Sequence, residues 1–457
     1  MAIDKGITRR DLLKTGAFGA AGAAFLAACS PGTTVAPSTA TSSGPAPSGA
    51  PPASAAGGYT PPAATTTGTL TISNWGDPND QAVYKAVAER FKAKYPSVTV
   101  NDNFTPITTW SDYINKVLAD VAAGKPPDII NIAIEGVKQG ISKQLFMPLT
   151  DFVAKDPAGK ALTADVDPRL LGGLSDKNTL YLLPNTWNTM LIYYNTKMFA
   201  AAGLSRPSDS WTWDDFLAAA KKLTTGSGGA KVFGFVVPYF NFGITPWIYS
   251  NGTSQLNADW TASNLKDPKV AEALTFVRDL VTVHKVAPQP KGADPYQLFP
   301  AGKAAMTGAG HWVVGSFKQA GFADYDIISW PQKAKKASVY GVSGFGIYPK
   351  TKSPELAWEY SKELASVETQ KAWVKIGGAT PALRSVAETA DFLGQAPHSE
   401  LYYNAIDYAL PVAAPTVFST LDPSFMRAMD SMMSGAQSPA DALAQADSEV
   451  AAAFAGS

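Results

Sequence analysis

The 457-residue chain carries 38 lysine and arginine side chains against 38 aspartate and glutamate side chains, so its formal net charge is zero. A chain without net charge lacks the electrostatic field that holds nucleic acid, and the composition argues against nucleic acid as a partner. With 46% hydrophobic residues, the chain has enough apolar material to fold as one large or two medium domains.

The N-terminal segment has the features of an export signal. Arg9 and Arg10 precede an apolar run at 17–28, which is too short and too weakly hydrophobic to span a hydrocarbon core of about 30 Å. The tetrapeptide LAAC follows and ends at Cys29. The segment resembles a twin-arginine signal joined to a lipobox, which implies cleavage after residue 28, lipidation of Cys29 and a membrane-anchored position outside the cytoplasm.

Two features of the mature chain follow directly from composition. Cys29 is the only cysteine, so the rest of the chain cannot form an intramolecular disulfide or use a thiol in catalysis. Residues 30–68 consist almost entirely of proline, alanine, serine, threonine and glycine, without a charged side chain. Such a segment cannot bury enough surface to offset its ordering entropy, and we expect a disordered tether.

The chain after residue 68 alternates between strand and helix patterns. Alternating apolar residues favour strands, and apolar residues at helical spacing that stop at proline or glycine favour helices. The pattern predicts a strand at 69–74, a helix at 78–95, a strand at 98–103, a helix at 110–121 and a strand at 128–132. This alternation is typical of a parallel α/β sheet.

Helix caps predict further helices downstream. A capping box begins at Thr212, and proline follows an N-cap residue at Asp267, Ser353 and Ser438. Strand-like runs are expected between these helices at 232–237, 304–307, 325–329 and 344–348.

Several stretches, taken in chain order, resemble one protein family. They are Pro127–Asn131 with Leu145–Asp151, Leu180–Gly203, Trp211–Phe216, Gly302–Met306 with Gly310–Trp312, and Ser343–Ile347 with Ala357–Tyr360 and Pro381–Arg384. The chain is similar there to the extracellular solute-binding proteins that include maltose-binding protein, the receptors of sugar ABC importers. The resemblance covers residues 69 to about 385, and the C-terminal seventy residues match poorly.

The resemblance implies an α/β, two-lobed periplasmic-binding-protein-like fold with a hinge, of the maltose-binding-protein type. The expected division is a signal peptide at 1–28, a lipidated tether at 29–68, a first lobe at 69–184 plus about 300–336, a second lobe at 185–299 plus about 337–400, and C-terminal helices at 401–457. It further implies a monomer that captures a mono- or oligosaccharide and delivers it to ABC permease subunits, without catalysis or a cofactor.

The topology of an α/β sheet points to the first candidate ligand contacts. Ligands bind at the carboxyl ends of parallel strands, and Asn74 and Trp75 follow the first predicted strand. Asp77 shares that turn but fits a helix N-cap better. Glu135 follows the strand that ends near residue 132, although a solvated acid in a loop is common.

Further candidates come from the resemblance. The resemblance implies that Asn185 and Trp187 lie where the chain crosses between the lobes. It also implies that residues 308–312 return to the first lobe and supply an aromatic ring that stacks on the ligand. Trp247 belongs to an aromatic-rich region that forms either a ligand wall or a small satellite core. The remaining candidates implied by the family pattern are His311, Trp312, Ser343, Gly344, Phe345 and Arg384, the last of which a surface salt bridge explains nearly as well.

Other chemistries have weaker signals. The three histidines lack the spacing of metal ligands, and the glycines at 341–346 do not have the order of a dinucleotide-binding motif. A glycoside-processing enzyme remains the alternative function, because it needs only two carboxylates about 5–9 Å apart. A binding protein for a non-sugar solute, such as a polyamine or a phosphodiester, is a second alternative, and strongly charged cleft residues would favour it.

Overall fold

The computed structural model describes residues 58–76, 78–106 and 109–456. The export signal, Cys29, most of the expected tether and the N-cap residue Asp77 lie outside these residues. Among the helices within them, none has both the length and the apolar character of a membrane-spanning segment.

Strands and helices alternate along the first third of the chain, and the end of the chain is mainly helical. The strands are β1 (Gly68–Gly76), β2 (Val98–Pro106), β3 (Ile129–Ala133), β4 (Ser175–Asp176), β5 (Thr179–Leu180), β6 (Leu182–Thr189), β7 (Leu191–Asn195), β8 (Met306–Ala309), β9 (Tyr325–Ile328), β10 (Ser338–Ile347), β11 (Thr380–Pro381) and β12 (Ala409–Pro411). The helices are α1 (Pro78–Lys94), α2 (Trp110–Ala122), α3 (Ile134–Ser142), α4 (Thr150–Lys155), α5 (Pro157–Ala164), α6 (Pro168–Gly173), α7 (Thr196–Ala201), α8 (Trp213–Leu223), α9 (Asn241–Ser250), α10 (Pro268–Thr282), α11 (Pro295–Leu298), α12 (Val314–Gln319), α13 (Pro354–Leu364), α14 (Val367–Ile376), α15 (Arg384–Ala387), α16 (Ala390–Leu393), α17 (Glu400–Asn404), α18 (Phe418–Ser434) and α19 (Pro439–Ala455).

The larger sheet organises what we call the first lobe. Its strand order is β11-β6-β10-β3-β1-β2, with β12 also paired to β10. Strand β1 runs parallel to β2 and β3, as the strand–helix alternation predicts, whereas β10 runs antiparallel to β3 and β6. Helices α1 and α13 cover it through a core that includes Leu70, Ile72, Phe91 and Trp358.

A smaller antiparallel sheet, β8-β7-β9, organises what we call the second lobe. Residues 191–194 pair with 306–309, and residues 192–195 pair with 325–328. Helix α8 begins with the predicted capping box, since Thr212 and Asp215 exchange both hydrogen bonds. The predicted strand at 232–237 forms only isolated bridges, from Val232 to Thr225, from Phe233 to Ala304 and from Val236 to Thr307.

These pairings concern the predicted assignment of the returning segments. The strands within 300–336 join β7 of the second lobe, and residues 343–347 of β10 join β3 of the first lobe. At these strands the pairing differs from the expected allocation of 300–336 to the first lobe and of 337–400 to the second, and the division into lobes itself stays a prediction. The order of motifs along a chain does not specify which distant strand each one pairs with, because pairing depends on non-local contacts.

The expected tether is ordered at its C-terminal end. Tyr59 donates its backbone N–H to the carbonyl of Lys155 at 3.0 Å and its hydroxyl to the carbonyl of Glu355 at 3.4 Å. Its ring contacts Phe152 edge-on at 6.1 Å and lies under the Lys362 ammonium at 5.1 Å. Tyr59 thus joins the start of the described chain to the first lobe through its backbone and its side chain, although the composition of this segment predicts disorder.

Helices α18 and α19 form a hairpin that contacts both lobes. Asp422 accepts a hydrogen bond from Ser111 of α2 at 3.1 Å, and Gln139 of α3 donates to Ser419 at 3.1 Å. On the other side, Lys266 forms an ion pair with Asp447 at 2.8 Å. The C-terminal helices therefore link the first lobe to the second.

Candidate ligand-binding cleft

The carboxyl edge of the larger sheet collects the first group of candidate residues. Strands β1 and β3 are parallel with Ser73 opposite Ile130, so Asn74 and Trp75 reach the same edge as the start of α3. Glu135 lies in the first turn of that helix. The structure therefore brings Asn74, Trp75 and Glu135 to one edge, where the topological argument expects ligand contacts.

An aromatic pair forms the wall on the first lobe. The rings of Trp75 and Trp110 meet edge-to-face with their centroids 4.3 Å apart, and both side chains are partly exposed. Tyr113 supports Trp110 from behind at 6.2 Å and donates its hydroxyl to the carbonyl of Ser73. The indole N–H of Trp75 is buried and has no hydrogen-bond partner among the described residues, so it is available to an acceptor on a solute.

A second aromatic group forms the wall on the second lobe. Trp312 is half-buried and contacts Phe242 at 6.2 Å, Tyr296 at 6.4 Å and Phe240 at 6.5 Å between ring centroids. Phe240 is one of the few large apolar side chains with a substantial exposed fraction, 36%. An exposed aromatic cluster of this kind is a typical ligand or partner contact.

The two lobes approach each other at Gly341 of β10. A Cβ atom on Gly341 would lie 3.2 Å from Cε2 of Phe242 in the second lobe and 3.8 Å from Oε1 of Glu135 in the first lobe. The absence of a side chain at this position thus lets elements of both lobes approach one strand. We call this region, where elements of both lobes approach Gly341 of β10, the candidate cleft.

Burial controls the electrostatics of the cleft. Glu135 is 4% exposed, and burial raises the pKa of its carboxyl to about 7, with a smaller upward contribution from Asp422 and an opposing one from its own backbone N–H. Burial also raises the pKa of Asp422, against hydrogen bonds from Asn241 and Ser111. Two carboxyl groups with raised pKa values therefore interact in one apolar setting.

Buried acceptor atoms without donors accompany these carboxyls. Oε2 of Glu135 and the side-chain oxygens of Asn74 and Asn185 are buried and have no hydrogen-bond partner within the described part of the chain. The side-chain N–H group of Asn74 donates a hydrogen bond to the carboxylate of Asp102 at 2.9 Å. Buried polar atoms are nearly always paired in native proteins, so an acceptor beside the candidate cleft such as Oε2 of Glu135 is available to a donor on a ligand.

Four of the sequence candidates lie in the hydrophobic core instead. Trp187 donates to the carbonyl of Pro381, Phe345 lies inside the larger sheet, His311 packs between Phe392 and Tyr402, and all three are 0–1% exposed. Trp247 is fully buried among the rings of Trp213, Phe216, Phe235, Phe276 and Trp330. Protein neighbours enclose these four side chains, and their contact with a ligand stays a prediction that the structure does not test.

Three further candidates, Ser343, Gly344 and Arg384, interact with neighbouring residues of the chain. The hydroxyl of Ser343 contacts the hydroxyl and carbonyl of Thr186. Gly344 faces the neighbouring strand so closely that a Cβ atom would lie 2.5 Å from the carbonyl oxygen of Leu183. Arg384 lies over the ring of Tyr403 and 3.8 Å from Asp167, so the surface salt bridge that the sequence left open describes it better.

Sequence reasoning missed residues that the structure brings to the cleft. Trp110 opens the predicted helix at 110–121 and was not among the candidates, yet it begins α2 beside Trp75. Asp422 and Tyr296 lie in stretches without a recognised motif. The signal for Trp110 was available, because a residue that begins a helix after a parallel strand lies at the same sheet edge as the other candidates.

Comparison with known proteins agrees with this architecture. The family described as bacterial extracellular solute-binding protein matches residues 86–398. The chain belongs to that family. An extracytoplasmic location is what the family implies, and its members are binding proteins.

The relatives of this solute-binding protein support the fold. A binding protein of Brucella abortus is 25% identical over 325 residues, which is 68% of this chain and 75% of the relative. An ABC substrate-binding protein of Listeria monocytogenes, solved with cycloalternan, superposes with a TM-score of 0.76 at 23% identity over 85% of this chain and all of that one. A solute-binding protein of Thermotoga lettingae, solved with α-D-tagatose, gives 0.75 at 23% identity and the same coverage. The predicted two-lobed α/β fold is confirmed.

Proposed function

We propose that this chain is the substrate-binding component of an ABC importer and captures a mono- or oligosaccharide between its lobes. The observation that carries the proposal is the aromatic cleft itself, in which Trp75 and Trp110 face one side and Phe242 and Trp312 the other. A pyranose presents C–H groups to aromatic planes, and its hydroxyls need acceptors such as Oε2 of Glu135 and the oxygen of Asn74. Relatives solved with maltose and with mannotriose support the assignment by likeness of fold.

Capture requires no covalent chemistry. A solute that contacts both lobes binds the closed conformation better than the open one, and this differential affinity is the free energy available for closure. Two interacting carboxyls in a cleft are also what a glycosidase uses, so the fate of the ligand separates the two functions. Recovery of the oligosaccharide unchanged after long incubation supports binding, whereas release of shorter sugars identifies an enzyme.

Changing Trp75 to alanine is expected to weaken sugar binding at least tenfold, because the cleft loses one face of its first wall. The apo melting temperature should move little, since the side chain is partly exposed. Thermal-shift titration of the mature chain with a panel of mono- and oligosaccharides measures both, because bound ligand raises stability by mass action. Trp75→Phe, which retains a ring, should keep most of the affinity. Unchanged affinity in Trp75→Ala would contradict the proposed site.

The same proposal places the protein on a membrane. Export by the twin-arginine route and lipid on Cys29 would keep a monomeric receptor beside its permease, with the tether ending at Tyr59 on the first lobe. Changing Cys29 to serine is expected to move the protein from the membrane fraction to the soluble fraction of expressing cells, because the acyl chains supply the anchoring energy. Western blotting of the two fractions is the measurement, and a Cys29→Ser chain that stays with the membrane would overturn the lipid anchor.

A further inference from the structure

The two carboxyls of the cleft come from different parts of the fold. Glu135 lies at the start of α3 in the first lobe, and Asp422 lies near the start of α18 in the C-terminal hairpin. Gln139, one turn after Glu135 in α3, donates to the hydroxyl of Ser419, one turn before Asp422 in α18, at 3.1 Å, so the two acids lie on adjoining turns of contacting helices. Folding thus places two acids together that are separated by most of the chain length.

The groups around this pair are neutral or acidic. Asp422 accepts from the hydroxyl of Ser111 at 3.1 Å and is contacted by the amide of Asn241, while Asp112 of α2 raises its pKa further. None of the groups that shift the pKa of Glu135 or Asp422 is a lysine, an arginine or a histidine. The pair therefore lacks the cationic partner that buried carboxyls normally have.

Glu135 also retains unused binding capacity. Its side chain is more than nine-tenths buried, and its Oε2 atom has no hydrogen-bond partner among the residues described. Leaving such an atom unpaired costs free energy, which a hydrogen-bond donor on a ligand would recover. A charged donor recovers more than a neutral one, because hydrogen bonds between ions are roughly twice as strong.

The aromatic walls favour the same charge. The faces of tryptophan, tyrosine and phenylalanine carry a negative quadrupole that attracts cations within about 6 Å. Phe242 and Glu135 both lie beside Gly341, and Trp110 directly precedes Ser111, the hydrogen-bond partner of Asp422, so aromatic faces that accept both sugar C–H groups and positive charge adjoin the two acids. An anionic solute such as a sugar phosphate would be repelled by both features.

Building on the proposed function, we propose that the cleft selects a sugar that carries a protonated amino group, with Glu135 and Asp422 as its ammonium subsite. The ammonium has three N–H donors. They are sufficient for the unpaired Oε2 of Glu135 and an oxygen of Asp422, while the sugar ring stacks on Trp75. A neutral sugar satisfies the hydrogen bonds but leaves the mutual repulsion of the acids uncompensated.

Matched sugars test the proposal. Thermal-shift titrations at pH 7 and constant ionic strength would compare D-glucosamine with D-glucose and N-acetyl-D-glucosamine, D-galactosamine with D-galactose, and the β-1,4-linked glucosamine dimer with cellobiose. We expect at least one amino sugar to bind tenfold or more tightly than its neutral counterparts. Acetylation removes the charge but keeps the nitrogen, so the acetylated sugar isolates the contribution of charge.

Variants assign the preference to the acid pair. Glu135→Gln keeps the size of the side chain and should reduce the amine preference to less than threefold, and Asp422→Asn should weaken it in the same direction. The matched control is Glu388→Gln, because Glu388 is an exposed carboxyl outside the cleft. It should retain the full preference. Melting of each apo variant shows that it is folded before the ligand comparison is made.

The outcomes separate this proposal from the function on which it rests. Neutral sugars that bind as tightly as their amino counterparts would overturn the amine subsite and leave sugar capture intact. An amine preference that persists in Glu135→Gln and Asp422→Asn would overturn the assignment to these residues. Absence of stabilisation by every member of the panel would contradict the proposed sugar-binding function as well.

Discussion

Replacing Trp247 by alanine is expected to lower the free energy of unfolding by about 3–5 kcal/mol, the usual cost of removing a large aromatic from a packed core. Trp247 is 0% exposed, and the nearest of its five aromatic neighbours, Phe216, Phe276 and Trp330, have ring centroids 5.1 Å away. Urea denaturation of the unliganded protein is the measurement. The loss should be accompanied by little change in the slope with urea, because the native surface is nearly unchanged.

Trp75→Ala is the matched control for this experiment, since it deletes the same side chain at a partly exposed position. We expect it to cost much less stability and much more affinity. The core assignment would be contradicted if Trp247→Ala lowered the free energy of unfolding by less than about 1 kcal/mol and also caused a large loss of sugar binding. Trp247 would then belong to a ligand wall, the alternative that the sequence left open.

Replacing His311 by phenylalanine is expected to reduce the acid sensitivity of folding. Burial lowers the pKa of His311 to about 3 from a usual value of 6.5, although Gln395 acts in the opposite direction. Below pH 6.5 the unfolded chain therefore binds a proton at His311, whereas the folded chain binds that proton only near pH 3. The stability conferred by the neutral imidazole is complete above pH 6.5 and falls by about 1.4 kcal/mol per pH unit below it.

The difference in unfolding free energy between His311→Phe and the parent protein is the quantity to measure between pH 6 and pH 4. It should shift in favour of the variant by about 3 kcal/mol over that interval. Glu135→Gln is a control of opposite sign, because the raised pKa of Glu135 gives stability that is complete below pH 4.5 and is lost as pH rises through about 7. A difference that does not vary with pH would show that His311 is accessible to protons in the folded state.

Local signals made the first half of the fold predictable. Residues 69–74 alternate strictly, Pro96 follows α1, and Gly124 follows α2, so β1, α1, β2, α2 and β3 could be placed within a few residues. The capping box at Thr212 was equally informative, because both of its hydrogen bonds join residues three positions apart. Sequence patterns of this kind depend only on residues within one helix or strand, so the structure shows them as the sequence predicts.

The remaining errors all concern interactions between distant residues. The sequence predicts a strand at 304–307, close to β8 at 306–309, but not that it pairs with β7, more than one hundred positions earlier. Trp75 and Trp247 have the same side chain, and only the packing of other elements leaves one partly open and buries the other. Asp422 reaches the cleft because α18 crosses to α2, a contact that no motif near residue 422 encodes.

The crossing of α18 between the lobes has an energetic consequence for capture. A hinge that opens must break the hydrogen bonds from Ser111 to Asp422 and from Gln139 to Ser419, or those that hold α18 to the second lobe. These contacts join groups of the chain itself, so their strength contributes to the fraction of empty receptors that already have the binding conformation. Apparent affinity scales with that fraction, and a single hydrogen bond far from any transported molecule can therefore tune the concentration at which uptake begins.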